Sequence, residues 1–274
     1  MPYKNQHFIS YGDDRPNAVE RIKMQAESFN TFTTIDVYNN NNIYDDEFKE
    51  KYSYVLNQRR GGGYWLWKYY LINKKMKEIG EGEYIIYCDA GCQLNNKGLN
   101  RYYEYLDMLE KSELGTISLP LGWNKTLEPP PSKGCVERVW TVRQLFEYLK
   151  IDINSDIATS PQIVATVLIF KKCKNSLKIL EDYGRLIDYD HKLITDYYNK
   201  INQYSFFREN RHDQSIWSLL RKIHKTIILD KDESYYYFQD ENGNNIPRNQ
   251  YENAIDKYKY PFWATRDTSG KSVY

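Results

Sequence analysis

The chain has 274 residues, of which 41% are hydrophobic and 27% charged, enough apolar material for a real core in one large domain or two small ones. Its 38 basic and 37 acidic residues leave a net charge of +1, so no global field draws it to nucleic acid or to an anionic membrane. No apolar run approaches the ~18 residues that span a bilayer, and the opening Met-Pro-Tyr-Lys-Asn-Gln-His does not resemble a signal peptide. A cytoplasmic protein is therefore expected, or one of the host cell or virion if the source is viral.

Phe8 to Tyr11 reads as a first strand that runs out at Gly12-Asp13-Asp14. Val19, Ile22, Ala26 and Phe29 recur at helical spacing, and Phe32 to Tyr38 is rich in β-branched residues and reads as a second strand. A helix is expected over 45–55. Arg59-Arg60-Gly61-Gly62-Gly63 then opens an aromatic helix from Tyr64 to about Ile79. The run Tyr84-Ile85-Ile86-Tyr87-Cys88-Asp89-Ala90-Gly91 is a strand ending in one carboxylate and two small residues. Leu99, Tyr102, Leu106 and Leu109 mark another helix, followed by a strand over 116–121. The stretch 122–134, with Pro129-Pro130-Pro131, has no periodicity and reads as a loop or flap. Val142 to Leu149 marks a helix, Ile163 to Phe170 a buried strand, and Leu177, Leu180 and Ile187 a further helix. Ile216, Leu219, Leu220 and Ile223 form an amphipathic helix behind Arg211-His212-Asp213-Gln214-Ser215, and Thr226 to Leu229 is a late strand. The tail is polar apart from Tyr260-Pro261-Phe262-Trp263. Alternating strands and helices without a repeat or linker predict one α/β domain, three-layered about a mainly parallel sheet.

The four cysteines, Cys88, Cys92, Cys135 and Cys173, do not form a disulfide framework in a chain of this size and are read as free thiols. Cys88 and Cys92 bracket Asp89 but lack the second Cys/His pair of a zinc site.

Four features carry chemistry. Asp89 ends an apolar and therefore central strand, where open α/β sheets bind ligands. A carboxylate there can hold a metal, accept from a ribose or take a proton; a turn aspartate is the plain alternative. The Arg59–Gly63 block lets backbone approach a ligand and offers two guanidiniums to a diphosphate, although three glycines can also be a hinge. Trp67 fits the core, but Lys68 beside it needs an anionic partner, such as a phosphate or a sugar–carboxylate network, if it is buried. At the start of the late helix, His212 can bind a metal through a neutral nitrogen, and Asp213 can accept from a hydroxyl or act as base. A simple N-cap is again the alternative.

Taken in order, Ser-Tyr-Gly-Asp-Asp, Arg-Gly-Gly-Gly-Tyr-Trp-Leu-Trp-Lys, Tyr-Cys-Asp-Ala-Gly-Cys, Ser-Pro-Gln-Ile-Val-Ala-Thr and His-Asp-Gln-Ser resemble a GT-A-type nucleotide-sugar glycosyltransferase over about residues 5 to 225. The resemblance implies a Rossmann-type GT-A fold, with residues 1–121 as the nucleotide-sugar half and 122–274 as the acceptor half and tail. It implies sugar transfer from a nucleoside-diphosphate donor, UDP-sugar favoured, to a hydroxyl on a glycan or protein, assisted by Mn²⁺ or Mg²⁺. By that resemblance Ser10, Tyr11, Arg60, Gly62, Tyr64, Lys68, Asp89, Ala90, Gly91 and the lid residue Arg266 face the donor. Trp123, Gln162, Thr166 and Gln214 face the sugar or acceptor, Asp89 and His212 hold the metal, and Asp213 is catalytic. Two positions depart from the family. Gly91 stands where the second carboxylate of an Asp-x-Asp motif belongs, and Gln214 replaces the glutamate of the His-Asp-Glu-Ser block of blood-group-type retaining enzymes. Two other readings stay open. An S-adenosylmethionine methyltransferase would share a strand ending in Asp-x-Gly, but Gln93 follows Cys92 where a second glycine is needed. A non-catalytic nucleotide- or carbohydrate-binding protein would explain the missing carboxylate.

Overall fold

A computed structural model of the chain describes residues 3–12, 15–39, 42–121, 135–234 and 259–267. β1 (Gln6–Tyr11) leads into α1 (Pro16–Phe29), whose proline lies in the first turn, where a missing N–H costs nothing. α1 buries the expected stripe of Val19, Ile22, Ala26 and Phe29, and also Arg21. β2 (Thr34–Tyr38) follows. The single helix expected over 45–55 is two pieces, α2 (Asp46–Lys51) and α3 (Ser53–Leu56), divided at Tyr52. The Tyr52 ring packs on Phe48 at 4.5 Å and its hydroxyl donates to Asp188, a tertiary contact that local periodicity does not contain.

The glycine block departs further from expectation. Gly61 to Trp65 all lie in the left-handed region, with φ of 54, 47, 88, 53 and 60°. Its segment Gly61–Tyr64, α4, closes helical bonds from Tyr64 N to Arg60 O and from Trp65 N to Gly61 O, but with the opposite hand to an ordinary helix. That hand costs an L-residue about 1–2 kcal/mol. The glycines avoid the cost; Tyr64 and Trp65 bear it. The right-handed helix α5 (Trp67–Glu78) begins only after the turn. The expected helix N-terminus at the glycines is therefore absent, and the turn instead lays Tyr64 and Trp65 against His212, ring centroids 4.8 and 5.6 Å apart.

The remaining elements are β3 (Tyr84–Asp89), β4 (Gln93–Leu94), α6 (Leu99–Glu110), β5 (Thr116–Ser118), α7 (Glu137–Trp140), α8 (Arg143–Tyr148) and α9 (Asp156–Thr159). After them come β6 (Val167–Lys171), α10 (Lys174–Tyr189), α11 (Asp213–Ile223), β7 (Ile227–Ile228) and β8 (Phe262–Trp263). Six strands form one sheet in the order β2-β1-β3-β6-β5-β7, and β4 pairs with β8 separately. β1 is parallel to β2 and β3, and β5 to β7; β6 runs against both neighbours. The sheet is thus mainly parallel, as expected. The reversal of β6 brings its leading residues, Ala165 and Thr166, beside the end of β3, where Asp89 N donates to Thr166 O at 3.0 Å.

Alternation along the strands feeds two cores, one per face. Ile9, Tyr11, Ile85, Tyr87, Leu168 and Phe170 pack with α5, α10 and α11. Phe8, Tyr84, Ile86, Cys88, Val167 and Ile169 pack with α1 and α6. Burial on both faces makes β3 the near-continuous apolar run that the sequence displays and the fold a three-layer α/β/α. The four cysteines are free thiols, Cys88 and Cys92 buried. No helix among the described residues is long and apolar enough to cross a membrane.

Candidate functional site

The chain enters the sheet at β1, moves outward to β2, then returns to the other side of β1 as β3. This reversal leaves a crevice beyond the carboxyl ends of β1 and β3, the place where open α/β sheets bind ligands. A cavity of about 360 Å³ occupies it, lined by Tyr11 and Gly12 after β1, by Asp89, Ala90 and Gly91 after β3, and by Arg15, Arg59, Gly61, Gly62, Trp65 and Trp67. It shares Arg15, Trp65, Asp89 and Gly91 with a second hollow of about 600 Å³ that Arg60, Lys68, Trp140, Thr166, His212, Asp213, Gln214 and Arg266 also line. Together they form one cleft. A larger cavity, about 1340 Å³, lies at the opposite end of the sheet beside Gly82 and Lys171. Its lining carries six lysines and four glutamates, some of them paired, as in Lys171–Glu110 at 3.1 Å and Lys178–Glu181 at 3.3 Å.

Lys68 is buried at the floor of the cleft. Its Nζ lies 3.2 Å from Asp89 Oδ1 and 3.0 Å from Asp213 Oδ2, and donates to Ala165 O at 3.1 Å. Its burial is thus matched by a pair of the protein's own carboxylates. Burial opposes the ammonium charge, but Asp213 and Asp89 outweigh it and hold the Lys68 pKa above its ordinary value. Burial, with some help from Asp89 and against the pull of Lys68, pushes the Asp213 carboxyl up to about 6. Asp89 is fixed from a second side, since Trp67 Nε1 donates to the Tyr87 hydroxyl at 3.1 Å and that hydroxyl donates to Asp89 Oδ1 at 2.8 Å. Asp89 and His212, expected to share a metal, have different partners here. Lys68 and Tyr87 already hold Asp89 Oδ1, and His212 Nε2 faces Asp196 instead, at 3.7 Å.

Among the described residues, Asp196, Glu209 and His212 form the group whose carboxylate and imidazole atoms come together, all within 4.8 Å of one another. Arg60 bridges the two acids, bonding both oxygens of Asp196 at 3.0 Å and also reaching Glu209. Burial and Arg60 keep the His212 imidazole neutral, its pKa lowered to about 4, against the opposing pull of Asp196. His212 is also held at φ 56°, ψ −125°, a rarely populated conformation for a residue with a Cβ. Asp196 and Glu209 lie in the stretch before α11, without periodicity, and sequence reasoning missed both, although Glu209 stands two residues before the Arg211–Ser215 block.

Gln214 and Gln162 form one amide pair. Gln214 Nε2 donates to Gln162 Oε1 at 2.8 Å, and Gln162 Nε2 donates to the Thr141 and Ser215 hydroxyls, both at 3.1 Å. Gln162 is wholly buried behind the cleft wall, and Gln214 lines the cleft. Asp213 is the first residue of α11 but not its cap, because its side chain turns to Lys68. The structure also explains Gly91. Asp267 N and the Thr265 hydroxyl both donate to Gly91 O, at 3.0 and 2.9 Å, and a Cβ on Gly91 would stand 3.3 Å from Arg266 Cα. The carboxyl-terminal segment occupies the space a second aspartate would need. Arg21, buried in α1, secures that segment, donating to Ala90 O, Cys92 O and Asp267 O at 2.9–3.1 Å. It sits on the apolar face of α1, where no pattern marks it.

Of the other expected site residues, Tyr11, Arg60, Gly62, Ala90, Thr166 and Arg266 line the cleft. Ser10 is fully buried inside β1 and does not reach it. Tyr64 is buried too, its hydroxyl donating to Asp196 at 3.0 Å. Trp123 and Pro129-Pro130-Pro131 lie outside the described residues. Trp140, with Arg211 4.2 Å above its ring, adds an aromatic wall that sequence reasoning did not single out.

No protein-family model and no curated protein matches the sequence. Among solved structures, the chain is similar to a glycosyltransferase involved in the glycosylation of the major capsid of PBCV-1, at 10% identity and a TM-score of 0.47, over 98% of this chain and 95% of that one. It is similar to mouse xyloside xylosyltransferase 1, at 10% identity and 0.47, over 96% and 97%. It is also similar to the galactosyltransferase LgtC, in complex with donor and acceptor sugar analogues, at 12% identity and 0.38, over 93% and 83%.

Proposed function

We propose that the protein transfers a glycosyl group from a nucleoside-diphosphate sugar, UDP-sugar favoured, to a hydroxyl of a glycan or protein acceptor. The observation that carries this reading is the crevice at the strand reversal, with arginines at its rim and the buried carboxylate Asp213 at its floor. Residues 1–121 provide the donor side; the chain beyond them provides the acceptor side. In the transfer, the acceptor oxygen bonds to sugar C1, the bond from C1 to the diphosphate oxygen breaks, and the hydroxyl proton passes to Asp213. A carboxyl with a pKa of about 6 is mostly ionised at neutral pH yet basic enough to assist that proton transfer. Charge growing on the leaving diphosphate is met by Arg15, Arg59 and Arg266, which line the cleft. Gln214, its amide nitrogen engaged by Gln162, offers its carbonyl oxygen to a sugar hydroxyl, and Trp140 offers a flat face for a sugar ring.

Thermal-shift measurements with UDP-, GDP- and CMP-sugars, each with and without Mn²⁺, test the reading. At least one donor is expected to raise the melting temperature, and that donor to be consumed when a hydroxyl acceptor is added. A response to S-adenosylmethionine alone would replace this reading with methyl transfer. Donor binding without hydrolysis or transfer would leave a binding protein.

A further inference from the structure

The transfer just described makes no use of Asp196, Glu209 or the imidazole of His212. His212 Nδ1 lies 2.9 Å from Ile194 O. A carbonyl can only accept, so Nδ1 carries the proton and Nε2 presents a lone pair. That lone pair faces Asp196 Oδ1 at 3.7 Å, and buried Nε2 has no hydrogen-bond partner. Two electron-rich atoms thus confront each other in a site where the His212 side chain is 4% exposed. Asp196 Oδ1 accepts from Arg60 and Asn199, but the buried Nε2 lone pair stays unsatisfied, which a cation entering between the two would relieve. The surroundings hold both groups in place. Tyr64 and Trp65 pack on the imidazole, and the Tyr64 hydroxyl and Asn199 Nδ2 donate to Asp196 at 3.0 and 2.8 Å. Partners of this kind orient metal ligands.

We propose that Asp196, Glu209 and His212 form a divalent-cation site in which the cation takes the place of the Arg60 guanidinium. Arg60 already marks where positive charge belongs, since it bonds both carboxylates from a side chain that is 45% exposed. Ligand atoms within 4.8 Å of one another must draw together by about 1 Å to share a cation at bonds of about 2.0–2.2 Å, a movement that side-chain rotation supplies. Two carboxylates and one neutral imidazole suit Mn²⁺ or Zn²⁺ better than all-oxygen cations such as Ca²⁺. This site is independent of the transferase reading and shares only His212 with the Asp89–His212 pair expected from the sequence.

Titration of the full chain with MnCl₂ and ZnCl₂, without nucleotide, tests the site by calorimetry and, for Mn²⁺, by electron paramagnetic resonance. Wild type is expected to bind one cation with imidazole nitrogen coupling in the Mn²⁺ spectrum. Glu209→Gln, on the exposed rim where folding is not at risk, and Asp196→Asn are expected to weaken binding at least ~10-fold. His212→Gln is expected to lose the nitrogen coupling. Arg60→Met, which removes the competing guanidinium, is expected to bind more tightly than wild type. Asp89→Asn is expected to leave affinity within about threefold, because Asp89 is outside the ligand set. Loss of binding in Asp89→Asn with Glu209→Gln unaffected would overturn the assignment, as would no binding of either cation by Arg60→Met. If the transferase reading alone fails, nucleotide sugars will give no response while the cation still binds.

Discussion

Lys68 and Arg60 each bridge two carboxylates in the same cleft, Asp89 and Asp213 in one case and Asp196 and Glu209 in the other. The Lys68 side chain is 4% exposed and fixed on α5; that of Arg60 is 45% exposed and stands at the rim. Loss of Lys68 would leave Asp213, 5% exposed, facing Asp89 without the cation between them. Arg60 can leave, because solvent or a cation can take over its partners. Similar local chemistry therefore gives a structural cation at the floor and an exchangeable one at the rim.

That contrast is most directly broken by removing each cation in turn. Lys68→Met is expected to cost about 3–5 kcal/mol of stability, because a buried pair loses its partner, whereas Arg60→Met should cost under ~1 kcal/mol. Chemical denaturation midpoints read both, and equal losses would show that burial does not separate the two clusters. In activity, Asp213→Asn is expected to lower kcat by roughly 10²–10⁴-fold with donor binding nearly unchanged. Glu209→Gln at fixed saturating Mn²⁺ should lower it far less, which single-turnover transfer assays can compare. A smaller effect sharpens the absence of a second Asp89-side carboxylate. Gly91→Asp is expected to destabilise by about 1–3 kcal/mol through overpacking against the Arg266 backbone, without improving Mn²⁺ affinity. A gain in affinity would move the cation site back to Asp89.

The last prediction concerns pH. Folding raises the Asp213 pKa to about 6, through burial first, from an ordinary aspartate value of ~4. Between those values the native chain keeps a proton that the unfolded chain has released. Stability from this group is therefore fully present at low pH and falls as pH rises through about 6. In chelator-treated protein, Asp213→Asn should remove this fall, about 1–3 kcal/mol between pH 4 and 7, read as denaturation midpoints at constant m-value. Transfer should respond the opposite way, with kcat/KM rising as Asp213 loses its proton near pH 6.

Much of this architecture was legible before any coordinates. The spacing of Val19, Ile22, Ala26 and Phe29 marked α1 because helical periodicity puts those residues on one face, and the structure buries all four. The apolar run ending in Asp89 marked a central strand and the crevice at its end. The need of Lys68 for an anion is legible, but not that Asp89 and Asp213 both meet it, since a lone lysine carries no record of which distant carboxylates fold onto it. The glycine block was read as a helix start, and its left-handed turn escaped notice because handedness is not encoded in periodicity. Asp196, Glu209 and Arg21 stayed hidden for similar reasons: two occupy irregular chain, and the third is a charge on an apolar face.

The alternating α/β order, the two-faced burial of β3 and the placing of Asp89 and Asp213 at element ends are written in hydrophobic pattern and local turn chemistry. Which charges meet is a matter of the folded chain. The tertiary structure reversed β6, set the carboxyl-terminal segment over Gly91, turned His212 toward Asp196 and gave Asp89 a lysine. Those choices rest on contacts between residues up to 246 positions apart, such as Arg21 with Asp267, and no local pattern records contacts at that range.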